Sequence, residues 1–220
     1  MTPEDLAARM PRLYHLTAPD AVAGIRERGL LSPRAICDRL GVEGTERERL
    51  LRTRRPREVT LEGIVNGRRE RYTINDNIPL FPSRLARVLD DGLSPADWLD
   101  MLNARTFFWA DERFARSLRG ARTNVDRPRS LLVFDTLSLA KAHHERMSIC
   151  PLNSGATLHS PPRRGSDTFA PLPDLDFDAW RRRRRDRGLK KGLDGIKEVT
   201  VEGAVPDAGD HLIEVIDDLM

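Results

Sequence analysis

The chain has 220 residues, 39% of them hydrophobic, and a formal net charge of +3. A chain of that length buries roughly 70% of its unfolded surface and needs no covalent staples. Its two cysteines, Cys37 and Cys150, lie far apart without CxxC spacing, which excludes a disulfide framework and predicts free thiols. No apolar run approaches the roughly 18–20 residues of a membrane span, and the opening Met1-Thr2-Pro3-Glu4-Asp5 lacks the shape of a signal peptide. The expectation is one cytoplasmic domain over residues 1–220, without a membrane partner.

In chain order, a first helix leads to a strand at Leu13–Thr17. Period-two alternation puts His15 with Leu13 and Thr17, and Tyr14 with Leu16. Thr17-Ala18-Pro19-Asp20 reads as a capping box that starts a short amphipathic helix through Val22 and Ile25, with Gly29 as its left-handed cap. Residues 33–80 form a polar, arginine-rich insertion. Its one clear element is a hairpin around Val59–Ile64 and Arg71–Ile74, turning at Asn66-Gly67.

Further on, Ser94-Pro95-Ala96-Asp97 is a second capping box and starts a helix carrying Trp98, Leu99 and Leu102. Thr106–Trp109 and Leu131–Phe134 are dense apolar runs that predict buried strands. The helix after Asp135 ends at His143-His144, where a cationic or dipolar ring suits the last carbonyls. Residues 151–178 hold many Pro, Ser, Gly and Asp and predict an irregular loop long enough to be functional. A last strand, Ile196–Glu202, points Val199 and Val201 one way and Glu198, Thr200 and Glu202 the other. Gly203 and Pro206 end it. No internal repeat is present.

Charge is unevenly placed. Arg47, Arg49, Arg52, Arg54, Arg55 and Arg57 cluster, and Arg68, Arg69 and Arg71 continue the run. A second cluster runs Arg181–Arg185, then Arg187, Lys190 and Lys191, against acids at the C-terminal end (Asp207, Asp210, Glu214, Asp217, Asp218). Such patches neutralise phosphates, but with 33 Arg against 4 Lys the bias also fits a GC-rich genome and solvated faces.

Several chemistries are excluded by motif. No phosphate loop of the P-loop or Rossmann type occurs, nor a GxSxG elbow. His143, His144, Cys150 and His159 match no zinc spacing, so no metal is expected. A carboxylate on a late strand suits glycosidic cleavage of NAD, whose nicotinamide–ribose bond breaks through an oxocarbenium-like centre.

Taken together, Tyr14-His15-Leu16-Thr17 with Ile25 and Gly29-Leu30-Leu31, the run Thr106–Arg113, the strand Leu132–Asp135, and Ile196–Val201 with Val205-Pro206 resemble the ADP-ribosyltransferase superfamily. The chain looks like a divergent relative of the DarT toxins, which modify nucleic acid. The resemblance covers about half of the chain. It implies an α+β fold with a split, two-sheet core, and NAD bound in the cleft as co-substrate. It further implies Glu198 as the catalytic carboxylate, and His15, Leu16, Thr17, Phe108, Trp109 and Arg113 as NAD contacts. Arg52, Arg54 and Arg55 are the candidates for the arginine these enzymes place beside the glutamate and for DNA or RNA contact. A toxin of this kind implies a cognate inhibitor protein as partner. The same fold acting on a protein acceptor or hydrolysing NAD, and a non-catalytic binding module, remain open at this level.

Overall fold

The computed structural model describes residues 1–119, 127–158, 160–186 and 195–217. Of the residues named above, His159, Arg187, Lys190, Lys191 and Asp218 lie outside the described residues. In chain order the elements are α1 (Pro3–Arg9), β1 (Arg12–Thr17), α2 (Val22–Arg28), α3 (Pro33–Leu40), α4 (Gly44–Arg52), β2 (Val59–Val65) and β3 (Arg68–Ile74). They continue with α5 (Pro82–Leu85), α6 (Pro95–Asn103), β4 (Arg105–Trp109), α7 (Glu112–Arg119), β5 (Ser130–Asp135) and α8 (Thr136–His143). The last are β6 (Met147–Cys150), β7 (Ala170–Pro171), α9 (Phe177–Asp186), β8 (Glu198–Glu202), α10 (Ala208–His211) and β9 (Leu212–Ile216).

The fold is α+β, and the chain divides into two compact units. The first comprises residues 1–30, 107–153 and 169–220; the second comprises 31–106 and 154–168. The arginine-rich insertion expected over 33–80 is therefore the core of a larger unit, which also takes up half of the expected 151–178 loop.

The first unit is built on a seven-stranded sheet, ordered β7-β6-β8-β4-β1-β5-β9. This is one hydrogen-bonded sheet where a split pair was expected, and its seam between β1 and β4 is thin. β1 pairs β5 antiparallel along its whole length, from Arg12↔Asp135 to Thr17↔Ser130, but meets β4 only at Tyr14↔Trp109. Ladder pairing with β5 also explains why Thr17 stays in the strand and is buried rather than capping a helix. The chain instead turns through a 3-10 segment at Pro19–Ala21, whose N-cap Ala18 has no side chain to contribute.

α2 ends at Gly29 with φ 84° and ψ 178°, outside the left-handed helical well expected of it. Glycine is required there for a second reason: a Cβ would lie 2.3 Å from the Val205 carbonyl, where Leu30 and Val205 exchange hydrogen bonds. One face of the sheet packs the main core, including Leu13, Phe108, Leu132, Phe134, Met147, Ile149, Val199 and Val201 under α1, α2, α8 and α10. The other face carries a smaller cluster of Leu16, Ala115 and Leu131, with Tyr14 and Trp109 against it.

In the second unit the Asn66-Gly67 turn joins β2 to β3, both residues at positive φ (50° and 77°), as a tight hairpin turn requires. The Ser94–Asp97 capping box starts α6 as expected. Residues 154–168 are organised by Arg164, which is fully buried over the Trp98 ring and donates to the Ser154 and Ala156 carbonyls at 3.1 Å each. A guanidinium with several fixed donors can satisfy irregular backbone that has no ladder partner.

Candidate functional site

The three strands singled out by sequence, β1, β4 and β8, are consecutive neighbours at the centre of the sheet. The Ala110 N–H donates to the Lys197 carbonyl at 3.1 Å, at the end where β4 stops and β8 begins. The two strands therefore run antiparallel, which brings the end of β4 at Trp109 near the start of β8 at Glu198. Trp109 is also the register partner of Tyr14, and Glu198 that of Cys150.

Facing follows from strand alternation. Phe108, Val199 and Ile149 point into the main core, so Trp109, Glu198 and Cys150 point to the opposite face, as does Tyr14. Tyr14, Trp109 and Glu198 thus form one row across three strands on one face. Glu198 is 4% exposed, on an interior strand rather than at the solvent-facing edge that an alternating surface strand would occupy. Both faces of β8 are buried down to Val201, and only Glu202 is exposed.

Beside Tyr14 lies a cavity of about 370 Å³, lined by Tyr14 and Ala110 with Arg9, Asp111, Arg113 and Arg116, and by neither Trp109 nor Glu198. That volume is at the lower end of small-molecule sites. Burial raises the Tyr14 pKa above the ordinary phenol value, and the Glu112 carboxylate adds to it, so the hydroxyl is a neutral donor. Arg113 is held by Asp111 at 2.5 Å and Arg116 by Glu112 at 2.5 Å. Trp109 is tilted against Phe114 of α7 at 6.2 Å, and the Lys197 ammonium lies 5.2 Å over the Phe114 ring.

Other residues predicted from sequence sit elsewhere. His15 falls on the core face with Leu13, opposite to Trp109 and Glu198. Its Nδ1–H donates to the Phe107 carbonyl at 2.9 Å, which spans the seam where β1 and β4 lack rungs. A carbonyl only accepts, so the ring carries its proton on Nδ1. Desolvation holds its pKa below the ordinary imidazole value, partly offset by that bond. Phe108 is 1% exposed and edge-on to Phe134 at 5.2 Å, so it is core rather than a ligand wall. The aromatic on the Trp109 face is Phe107, which sequence reading passed over and which meets Phe169 at 6.2 Å. Leu16 and Thr17 are both buried, Leu16 against Ala115 and Leu131.

The Arg52-Arg54-Arg55 group is structural rather than a phosphate surface. Arg55 is buried, donates to the Leu50 carbonyl and to Asn103 Oδ1, and its pKa is pushed down to about 10 by burial. Arg52 is engaged by Asp97 at 2.8 Å, Glu48 at 3.3 Å and Asp100 at 3.5 Å. Arg54 donates to the Ile78 carbonyl and lies over the Phe81 ring. By contrast, Arg182, Arg183 and Arg185 of α9 are exposed, while Arg184 is buried over Trp180.

No helix of the described residues is long and apolar enough to cross a membrane. Cys37 and Cys150 are not joined in a disulfide, as their spacing predicted, and both are buried. No curated protein and no solved structure matches the chain. One family model does, over residues 11–212, and it is described as a family of unknown function. That span takes in every strand of the sheet through β8, so the chain belongs to the DUF7002 family.

Proposed function

We propose that the protein is an NAD-consuming ADP-ribosyltransferase whose reaction centre is the Tyr14–Trp109–Glu198 row, acting on a nucleic-acid base or ribose. The observation that supports this reading is the adjacency itself. Strands drawn from three separate parts of the chain bring a carboxylate, an indole and a phenol onto one face of the sheet, with a cavity at the Tyr14 end.

The chemistry suits those groups. Breaking the nicotinamide–ribose bond develops positive charge on the ribose, and a carboxylate in a water-poor setting stabilises it far more than one in bulk water. A large flat indole stacks on a nicotinamide ring. The Tyr14 hydroxyl donates from the same face. The cavity has room for one end of a dinucleotide, not for all of it. In this reading the first-strand contact is Tyr14, since His15 is spent on the Phe107 carbonyl and faces away. The exposed arginines of α9 are the natural approach for phosphates.

The burial of Glu198 favours a second reading, in which the carboxylate is a structural group of a non-catalytic binding module. Incubation with NAD labelled on the adenylate phosphate, with separate pools of DNA, RNA and protein, separates the two. Transfer of label to nucleic acid is expected. Transfer to protein keeps the enzyme and changes the acceptor, and intact NAD in every pool contradicts the enzyme reading.

A further inference from the structure

We propose that His143, Asp207 and His211 form a binding site for a divalent transition-metal cation of the zinc class, separate from the Glu198 row. His143 closes α8, while Asp207 precedes the single turn of α10 and His211 closes it, so His143 and Asp207 meet across 64 residues of chain. Both imidazoles aim Nε2 at the same carboxylate: His143 at Oδ1, 2.7 Å away, and His211 at Oδ2, 3.2 Å away. The rings stand at 87° to one another with centroids 5.8 Å apart, and one ligand atom from each of the three residues lies within 4.8 Å of the others. Both histidines are 7% exposed, whereas Asp207 is about a third exposed and leaves an approach from solvent.

Two imidazole nitrogens and one carboxylate oxygen are a donor set that zinc-class cations accept, with a further position left for water. Metal–ligand bonds of about 2.0–2.1 Å put tetrahedral neighbours roughly 3.3 Å apart. His143 lies 2.7 Å from Oδ1 and His211 3.2 Å from Oδ2, so the carboxylate has to turn slightly to present one oxygen to a cation held by both imidazoles.

The surroundings sort the two histidines. The Nδ1 of His211 lies 3.1 Å from the Ser138 hydroxyl, whose oxygen accepts a hydrogen bond from Nδ1–H once Nε2 coordinates; such partners fix a metal-bound imidazole. Ser138 is itself anchored by its N–H on Asp135 Oδ1 at 2.8 Å. The Nδ1 of His143 instead accepts from Arg146 at 2.9 Å. Coordination through Nε2 moves the His143 proton to Nδ1, so Arg146 must release that contact. It keeps its bonds to the Glu202 and Ala204 carbonyls, at 2.6 and 2.9 Å. Arg146 is therefore the group that opposes the cation, by proton donation and by charge. A bound ion would tie α8 to the segment that follows β8.

The test uses untagged, chelator-treated full-length protein, titrated with Zn(II) by calorimetry and with Co(II) by visible absorption. One equivalent of each is expected, with the Co(II) ligand-field bands of a four- or five-coordinate site and a rise in melting temperature. His211→Gln and Asp207→Asn should abolish saturation. Arg146→Gln should tighten binding several-fold, an outcome that a purely hydrogen-bonded cluster has no means to produce. Absence of saturable binding in the folded wild type, or binding that survives His211→Gln, overturns the site. Circular dichroism on each variant identifies any that fails to fold, and Arg146→Gln then carries the test.

Discussion

At the scale of single residues, facing decides role. Phe107, Phe108 and Trp109 are consecutive and chemically alike, yet alternation sends Phe108 into the core and the other two to the opposite face. Phe108→Ala should therefore act on stability, lowering unfolding free energy by about 3–5 kcal/mol as large-to-small core changes do. Trp109→Ala, at a half-buried position, should act on ligand affinity with a smaller loss of stability. Denaturant titration together with NAD binding on both variants checks this. A Phe108 variant that unfolds like wild type would show that the alternation has been assigned the wrong way round. His15 illustrates the same rule, because its neighbour Tyr14 takes the face on which Glu198 lies.

At the scale of elements, what the sequence makes legible is local chemistry. Ser94 and Asp97 fix the start of α6 through mutual hydrogen bonds, and Asn66-Gly67 supplies the two positive-φ residues of its turn. Neither depends on anything distant. Thr17 carries the same local signal but has a ladder partner in Ser130, and pairing prevails over capping. The strand β8 is legible in the sequence, but its burial is not, for a related reason. Its neighbours β4 and β6 come from residues 105–109 and 147–150, so nothing near Glu198 reveals that both of its faces are buried. The arginines are a third case: composition alone cannot distinguish Arg55, which holds backbone carbonyls, from Arg182 in solvent.

The junction of α8 and α10 has a pH signature of its own. Desolvation holds the His143 pKa below the ordinary imidazole value, against the pull of Asp207 and with Arg146 and His211 adding to the depression. The unfolded chain then binds the proton more readily than the folded one. The stability contribution is complete above the ordinary value of about 6.5 and is lost as pH falls below it. Urea midpoints measured with chelator present should drop between about pH 8 and pH 5 more in wild type than in His143→Gln. Equal drops would place the titrating group elsewhere, with Asp207, itself held below the usual carboxylate range, the next to test at lower pH.

At the scale of the whole molecule, the row proposed to cleave NAD and the exposed arginines of α9 belong to the same unit. If nucleic acid is the acceptor, affinity for single strands should fall with salt. Changing Arg182, Arg183 and Arg185 together to Gln should then reduce the logarithmic slope by roughly two, at about 0.7 per lost phosphate contact. The Arg52 position, committed to Asp97, Asp100 and Glu48, should leave the slope alone. A slope indifferent to the α9 change directs attention to a protein acceptor. The most direct measurement of the central claim is release of labelled nicotinamide from NAD by wild type and by Glu198→Gln, each shown to be folded. The account predicts release by wild type and a loss of about 10²–10³-fold in turnover for the variant, with NAD affinity within a few-fold of wild type. Equal release by both proteins, or none by wild type, would contradict it.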